Sequence, residues 1–234
     1  MAANPKTLRI VETRAAGPHT RVIDIACDAV PFEAIGGKYI IVNTGVVAGE
    51  KPVKRAYSLV PVEGAPQLAR LTVKRLGDGP GSNAMHAAGV GAELPFSGPW
   101  GKLVPEGGTP AKTLVVATDT GITSALGIAA RKEKPAEILW LRAADEDFIS
   151  EEEARARVER EGIRFVSTII PPVKSAERAA AAFAHIDARA AEVGPSLVIA
   201  AGDGALVHPL IERLRAAEVR IECYFHNPEK KSAS

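Results

Sequence analysis

Arg55-Ala56-Tyr57-Ser58, set just after the basic Lys51 and Lys54, and Lys74-Arg75-Leu76-Gly77-Asp78-Gly79-Pro80-Gly81-Ser82-Asn83-Ala84-Met85-His86, about two strands later, decide how this chain is read. On an extended strand alternate side chains share a face, so Arg55 and Tyr57 point one way and Ser58 the other. In the second segment the glycines let backbone approach a diphosphate closely, and Ser82 with the amides of the next turn would lie at a helix N-terminus, where anions are favoured. Each segment alone also has an ordinary reading. The first could be an exposed barrel arginine beside a half-buried tyrosine, the second a Gly-Pro turn whose helix Ser82 caps.

Around these segments, residues 1–110 read as short β-rich runs broken by Gly and Pro: Thr7 to Arg14, Arg21 to Cys27, Lys38 to Thr44, Lys54 to Val60, Leu68 to Arg75 and Glu93 to Ser97. That spacing predicts a six-stranded antiparallel barrel with one helix, near Ser82 to Ala88. The pattern changes at Gly107-Gly108-Thr109-Pro110. Beyond it compact apolar strands (Thr113 to Ala117, Glu137 to Leu141, Arg164 to Thr168, Leu197 to Ala200, Arg220 to Cys223) alternate with helices starting near Thr123, Ser150, Ser175 and Ala205. The alternation predicts a parallel sheet covered on both faces, so the fold class is a β-barrel followed by a Rossmann-like α/β domain, residues 1–108 and 109–234.

Composition narrows the partners. Of 234 residues 46% are hydrophobic and 24% charged, the mark of a folded, soluble chain. Lys and Arg number 29 against 28 Asp and Glu, and this balance excludes the basic excess that nucleic-acid binding needs. The first 110 residues carry 12 basic and 9 acidic side chains, the remainder 17 and 19. Two cysteines, Cys27 and Cys223, cannot build a disulfide framework or a four-cysteine cluster, and His19, His86, His185 and His208 show no metal-ligand spacing, so no metal site is expected. With no apolar leader at Met1 to Arg9 and no long uncharged stretch, neither secretion nor a membrane span is expected, and the cytoplasm is the natural location.

A third element, Gly98-Pro99-Trp100-Gly101, closes the barrel half, where a turn with a buried Trp would be explanation enough. In order, the three segments resemble the ferredoxin-NADP(H) reductase superfamily, in which an Arg-x-Tyr-Ser strand, a Gly-x-x-Ser turn and a Gly-Pro-aromatic-Gly turn surround FAD. The resemblance implies that Arg55 neutralises the FAD pyrophosphate, Tyr57 stacks on the isoalloxazine and Ser58 hydrogen-bonds near its N5, with Ala56 in the same strand. Guanidinium, aromatic face and hydroxyl suit phosphate, planar ring and a nitrogen that changes protonation. It further implies backbone contacts to the flavin from Val73 and Lys74, a diphosphate turn of Gly79, Pro80, Gly81, Ser82 and Asn83, and a shielding aromatic near the C-terminus, for which Phe225 is chosen from Tyr224-Phe225.

In the second domain, Leu114 to Ser124 is a strand running into a Gly-containing turn and a helix, where a dinucleotide pyrophosphate would lie; Thr118, Thr120, Gly121 and Thr123 are the candidates. A plain strand-to-helix connection is the other reading. The superfamily usually has small residues where this chain has Thr118-Asp119, Pro in place of Ser124, and Cys in place of Ala201, just before Gly202 and Asp203. A carboxylate at 119 would repel a diphosphate unless it turns away or pairs with a base. At the end of the second strand Arg142 could meet a 2'-phosphate, while the acids Asp145, Glu146 and Asp147 oppose it, which favours NADH.

The resemblance therefore implies an FAD-dependent NAD(P)H oxidoreductase passing a hydride to FAD and electrons onward to a separate carrier protein of ferredoxin or flavodoxin type, or to a small acceptor. Two other readings stand beside it: an FAD-bearing subunit of a larger oxidoreductase, with Asp119 recording a relaxed need for nicotinamide, and a non-catalytic flavin redox sensor. The sequence leaves the oligomeric state open.

Overall fold

The computed structural model describes residues 6–28, 35–144 and 148–226. The chain up to Gly101 forms one compact unit and most of the chain from Lys102 onward a second.

The first unit is a seven-stranded antiparallel sheet of β1 (Lys6–Gly17), β2 (Thr20–Ala26), β3 (Tyr39–Ala48), β4 (Lys51–Ser58), β5 (Val60–Pro61), β6 (Leu68–Lys74) and β7 (Glu93–Trp100), in the order β4-β3-β7-β1-β2-β6-β5. Six strands were anticipated. The seventh arises because the run Lys54 to Val60 breaks at Leu59, leaving the two-residue β5 to pair with Ala69 and Arg70. Alternation builds the interior: Ala69, Leu71 and Val73 of β6 and Ile40 and Val42 of β3 turn inward to meet Leu8, Ile10, Ile23 and Ile25. Helix α1 (Pro80–Ala87) closes this core by inserting Met85. Its N-cap is Gly79 with Pro80 behind it, so Ser82 lies inside the helix and does not cap it. Pro80 suits that place, since its missing N–H would be unbonded there anyway.

The second unit is a five-stranded parallel sheet of β8 (Thr113–Thr118), β9 (Glu137–Ala143), β10 (Arg164–Ile170), β11 (Leu197–Asp203) and β12 (Glu218–Phe225), ordered β10-β9-β8-β11-β12. The chain first steps outward from β8 to β10, then returns to β11 and β12 on the other side. The turning point of the topology is thus the gap between the carboxyl ends of β8 and β11, where open α/β sheets receive ligands. Near-continuous apolar strands are what a sheet covered on both faces requires. Leu114, Val116, Leu139, Leu141, Val198 and Ala200 pack with Ala182 and Ile186 of α4 (Arg178–Val193), Leu206 and Val207 of α5 (Gly204–Val207) and Leu210 of α6 (Leu210–Arg213). On the opposite face α2 (Ile122–Ala129) lies against β8 and β11, and α3 (Glu151–Arg160) against α2 and β10. Among the described residues no helix is long and apolar enough to cross a membrane.

Candidate functional site

In the first unit the two decisive segments meet. On β4, Arg55 is exposed, Tyr57 half-buried on the same side and Ser58 buried, as the strand alternation requires. A Cβ added to Gly81 would fall 2.8 Å from Arg55 Cγ and 3.0 Å from Val53 Cγ1, so the glycine lets the start of α1 lie directly against the arginine. The loop leading into the helix is held by its own side chains. Gly79 N donates to the Leu76 carbonyl (2.6 Å), Ser82 Oγ accepts from Leu76 N (3.1 Å) and donates to Gly79 O (3.1 Å), and Asn83 accepts from Arg75 Nε (2.7 Å) and donates to Gly77 O (3.2 Å). The Ser82 and Asn83 side chains are therefore spent on the turn. An anion here would meet the Arg55 guanidinium and the first-turn amides of Gly81 and Ser82, which lack intrahelical partners. Gly79 and Pro80 shape that approach.

Burial pushes the Tyr57 hydroxyl up to about 12, against a smaller downward pull from Arg55, so the ring is a neutral phenol at any working pH. It packs against the barrel core and presents a planar aromatic surface beside Arg55. Ala56 lies exposed between them. Val73 buries its side chain in the core, and its carbonyl is 3.0 Å from His86 Nε2. Arg75 N donates to the His19 carbonyl, and antiparallel alternation then turns the Lys74 backbone away from β2. Trp100 is 51% exposed, with Nε1 reaching the neighbouring Ser97 Oγ at 3.3 Å, so a turn built around a buried Trp, the ordinary reading of that segment, does not describe it.

The second unit gathers its candidates at the topological turning point. Thr118 Oγ1 accepts from Asp203 N (2.7 Å) and stitches β8 to β11. The backbone there is too close for any Cβ: one at Gly121 would lie 2.0 Å from the Ala201 carbonyl, and one at Gly202 2.2 Å from the Thr118 carbonyl. Thr120 offers its carbonyl to Thr123 Oγ1 (3.0 Å), and Thr123 is in turn 3.4 Å from the Tyr224 hydroxyl. Tyr224 also hydrogen-bonds Ser124 (2.6 Å), which ties β12 to α2. Phe225 ends β12, its ring edge-on to His226 at 5.0 Å; it belongs to the second unit, Tyr57 and Ser58 to the first. His226 is anchored by Nδ1 to Asp203 Oδ1 (3.0 Å); residues 227–234 lie outside the described residues.

Asp119 is the departure that the structure explains. It adopts φ 49°, a left-handed conformation that Asp tolerates better than most side chains, in a 3-10 turn after β8. Its carboxylate turns inward. Oδ1 accepts from Ala143 N (2.9 Å), Oδ2 pairs with Arg178 Nη2, and its carbonyl accepts from Trp140 Nε1 (2.9 Å). Arg178 is itself buried, donates to the Pro171 carbonyl (2.8 Å) and stands 3.4 Å from Asp203 Oδ2. The negative charge at 119 therefore has its base and does not oppose an incoming diphosphate. Sequence reasoning missed Arg178. The signal was its place as the first residue of α4, where a cation opposes the helix dipole and must be held by something stronger.

Arg142 is equally committed. Its Nη2 bonds Glu151 Oε2 (2.6 Å), its Nε bonds Ser167 Oγ (3.1 Å), and its guanidinium lies 5.1 Å from the Trp140 ring centroid. Asp145, Glu146 and Asp147 lie outside the described residues. Cys223 packs against the α4 side of the sheet, and no cluster of His, Cys, Asp or Glu among the described residues could hold a metal ion.

No family model matches the chain. The chain is 32% identical over 161 residues to ferredoxin--NADP reductase B of Sorangium cellulosum, an alignment covering 66% of this chain and 65% of the relative. The chain thus spans just under two thirds of that relative's length. A ferredoxin NADP+ reductase from Neisseria gonorrhoeae, solved with FAD and NADP, superposes with a TM-score of 0.68 at 17% identity, over 95% of this chain and all of the other. The chain is similar to ferredoxin-NADP reductases in sequence over that stretch and in fold over nearly its whole length. Within the superfamily's fold the likeness extends to a siderophore interacting protein of Acinetobacter baumannii, with TM-score 0.70 at 16% identity, covering 98% of this chain and 96% of that one. Both expected halves of the superfamily's architecture, curled antiparallel sheet and parallel sheet with helices, are present.

Proposed function

We propose that the chain is an FAD-dependent NAD(P)H oxidoreductase of the ferredoxin-NADP reductase type, delivering electrons to a separate one-electron carrier protein or a small acceptor. The observation that carries this reading is the meeting of Arg55 with the Gly81 end of α1, a cradle that any β-carbon at 81 would fill. The residues fit the group. Arg55 and the amides of Gly81 and Ser82 would hold the FAD diphosphate, and Lys74 backbone and the neutral ring of Tyr57 its isoalloxazine, with the buried Ser58 hydroxyl close by. Bound FAD supplies acceptance of a hydride and release of its electrons singly or in pairs. The chain's contribution is to orient and to exclude water, so no strong general base is required of it.

In the second unit the Thr118 to Thr123 turn and the Gly202-Asp203 strand end would hold the pyridine dinucleotide. The inward turn of Asp119 removes the charge conflict that favoured an electron-conduit subunit over a nicotinamide oxidoreductase. The visible spectrum of the purified protein tests the proposal. A flavin absorbance near the usual yellow maxima, bleached anaerobically by NADH or NADPH, is the expected result. A protein colourless even after incubation with FAD overturns it, and bound flavin that neither dinucleotide bleaches overturns the oxidoreductase part.

A further inference from the structure

The carboxyl end of β9 carries a chain of alternating charges. Arg142 shares its Nη2 with Glu151 Oε2 (2.6 Å); the other Glu151 oxygen accepts from Arg155 Nη2 (2.7 Å); Arg155 Nη1 reaches Glu159 Oε1 (3.0 Å). Two cations and two anions cancel. The arrangement is also fixed in place: Arg142 lies over Trp140, Arg155 over Phe165 at 5.0 Å, and Ser167 holds Arg142 Nε. Glu151 opens α3, whose first turn also carries Glu152 and Glu153 and is capped by Ser150 Oγ accepting from Glu153 N (3.0 Å). Hydrogen bonding from Arg155 holds the Glu151 carboxyl below its ordinary range despite some desolvation, and Arg142 and Arg155 add charge attraction, so it stays ionised near neutrality.

In a sheet wound this way, the end of the strand following the Gly-containing turn, about twenty residues on, is where the adenosine ribose of a dinucleotide is read: an acid accepts from a free 2'-hydroxyl, an arginine receives a 2'-phosphate. Here both are present and bonded to each other. We propose that Glu151 is the residue by which this chain rejects 2'-phosphorylated dinucleotides, selecting NADH over NADPH by occupying Arg142. The inference rests on the nicotinamide reading of the second unit. A 2'-phosphate brings close to two negative charges. To pair with Arg142 it must displace the Glu151 carboxylate, breaking that residue's bonds to two arginines, or sit beside it. A ribose hydroxyl does neither, since it can donate to the same carboxylate.

Glu151→Gln separates the possibilities: it removes the charge, and its amide oxygen can still accept from one of the two arginines. The measurements, on the full flavin-loaded chain, are calorimetric binding of AMP and of adenosine 2',5'-bisphosphate, with kcat/KM for NADH and NADPH alongside. The wild type is expected to favour NADH, and adenosine 2',5'-bisphosphate is expected to gain nothing over AMP. Glu151→Gln should shift both preferences toward the 2'-phosphate by about tenfold, the scale of one charge-assisted hydrogen bond. Adding Arg142→Ala to Glu151→Gln should abolish the gain, which a merely structural role for Glu151 would not produce. Tighter binding of the bisphosphate than of AMP by the wild type, or an unchanged preference in Glu151→Gln, overturns the inference alone. Failure of both nucleotides to bind, with neither dinucleotide reducing the flavin, overturns the nicotinamide reading and the inference with it.

Discussion

Replacing Asp119 probes the interior of the nucleotide-binding unit rather than its ligand. The residue is 1% exposed; its side chain bonds Ala143 N through Oδ1 and Arg178 through Oδ2, and its backbone carbonyl accepts from Trp140 Nε1. Removing one member of a buried ion pair costs about 3–5 kcal/mol. Asp203 Oδ2, 3.4 Å from Arg178 Nε, remains to share the cation, which places the loss near the lower end. The orphaned Ala143 amide adds about 1–3 kcal/mol. An alanine held at φ 49° adds about 1–2 kcal/mol, which a glycine avoids. Asp119→Ala should therefore lose about 5 kcal/mol, a large part of the roughly 5–15 kcal/mol that holds a domain folded. Asp119→Gly should be the more stable of the two by about 1 kcal/mol. Asp119→Asn keeps the acceptor for Ala143 and tolerates the backbone, so its loss of about 3 kcal/mol isolates the charge. Adding Arg178→Met to it should restore at least half. Urea unfolding in a Trp100→Phe background leaves Trp140 as the single tryptophan, directly bonded to the residue changed. An Asn variant within about 1 kcal/mol of the parent, below the cost of a broken buried pair, would refute the reasoning. So would a Gly variant less stable than Ala.

Other changes follow from the same geometry. Arg55→Ala should weaken FAD by about 1.5–3 kcal/mol, since it removes the cation beside the Gly81 end of α1; titration of apoprotein with FAD measures it, and unchanged affinity refutes that role. Gly121→Ala forces a β-carbon to within 2.0 Å of the Ala201 carbonyl, so β8 and β11 must separate; loss of cooperative unfolding of the second unit is expected, and a stable variant would show that the turn can relax. Glu222, on the half-buried α2-facing side of β12, has its carboxyl raised by burial to about 7 from 4.5. The folded chain therefore holds that proton where the unfolded chain releases it. Its contribution is complete below pH 4.5 and declines as pH rises to 7, by about 1–3 kcal/mol, after which stability is flat with respect to this group. Glu222→Gln should remove that slope in unfolding free energy measured between pH 5 and 8; an unaltered slope would place its origin elsewhere.

Much of the architecture could be read from spacing because it depends on local pattern. The alternation in Leu68–Lys74 and the unbroken apolar Thr113–Ala117 each report burial on one face or on two. What escaped depends on tertiary neighbours. Leu59 offers no local sign that it ends β4 and starts a separate edge strand. Ser82 carries a good cap signature, yet Pro80 fixes the helix start two residues earlier and turns the hydroxyl back into the loop. A turn around a buried Trp was one way to explain Gly98-Pro99-Trp100-Gly101, whereas Trp100 is held outward. That the Arg55 and Gly81 segments adjoin followed from their order along the sheet; which of their atoms are spent on the protein's own loops did not.

Asp119 shows why a departure from a family pattern should be read with its partner. The position needs a left-handed backbone beside a strand end, which small residues supply by having little or no side chain. Aspartate supplies it differently, because its short carboxylate can be satisfied inward, at Ala143 N and at an arginine fifty-nine residues later in the chain. That arginine, in turn, starts a helix where the dipole disfavours it and where two buried carboxylates, Asp119 and Asp203, with the Pro171 carbonyl, make it tolerable. Neither residue is sensible without the other, so they form one unit of substitution. A carboxylate in the first dinucleotide turn with no buried cation to receive it would face the ligand and weaken it. With Arg178 present, the carboxylate instead braces the turn from behind, and changing Asp119 to the family's small residue should leave donor KM unchanged while stability falls.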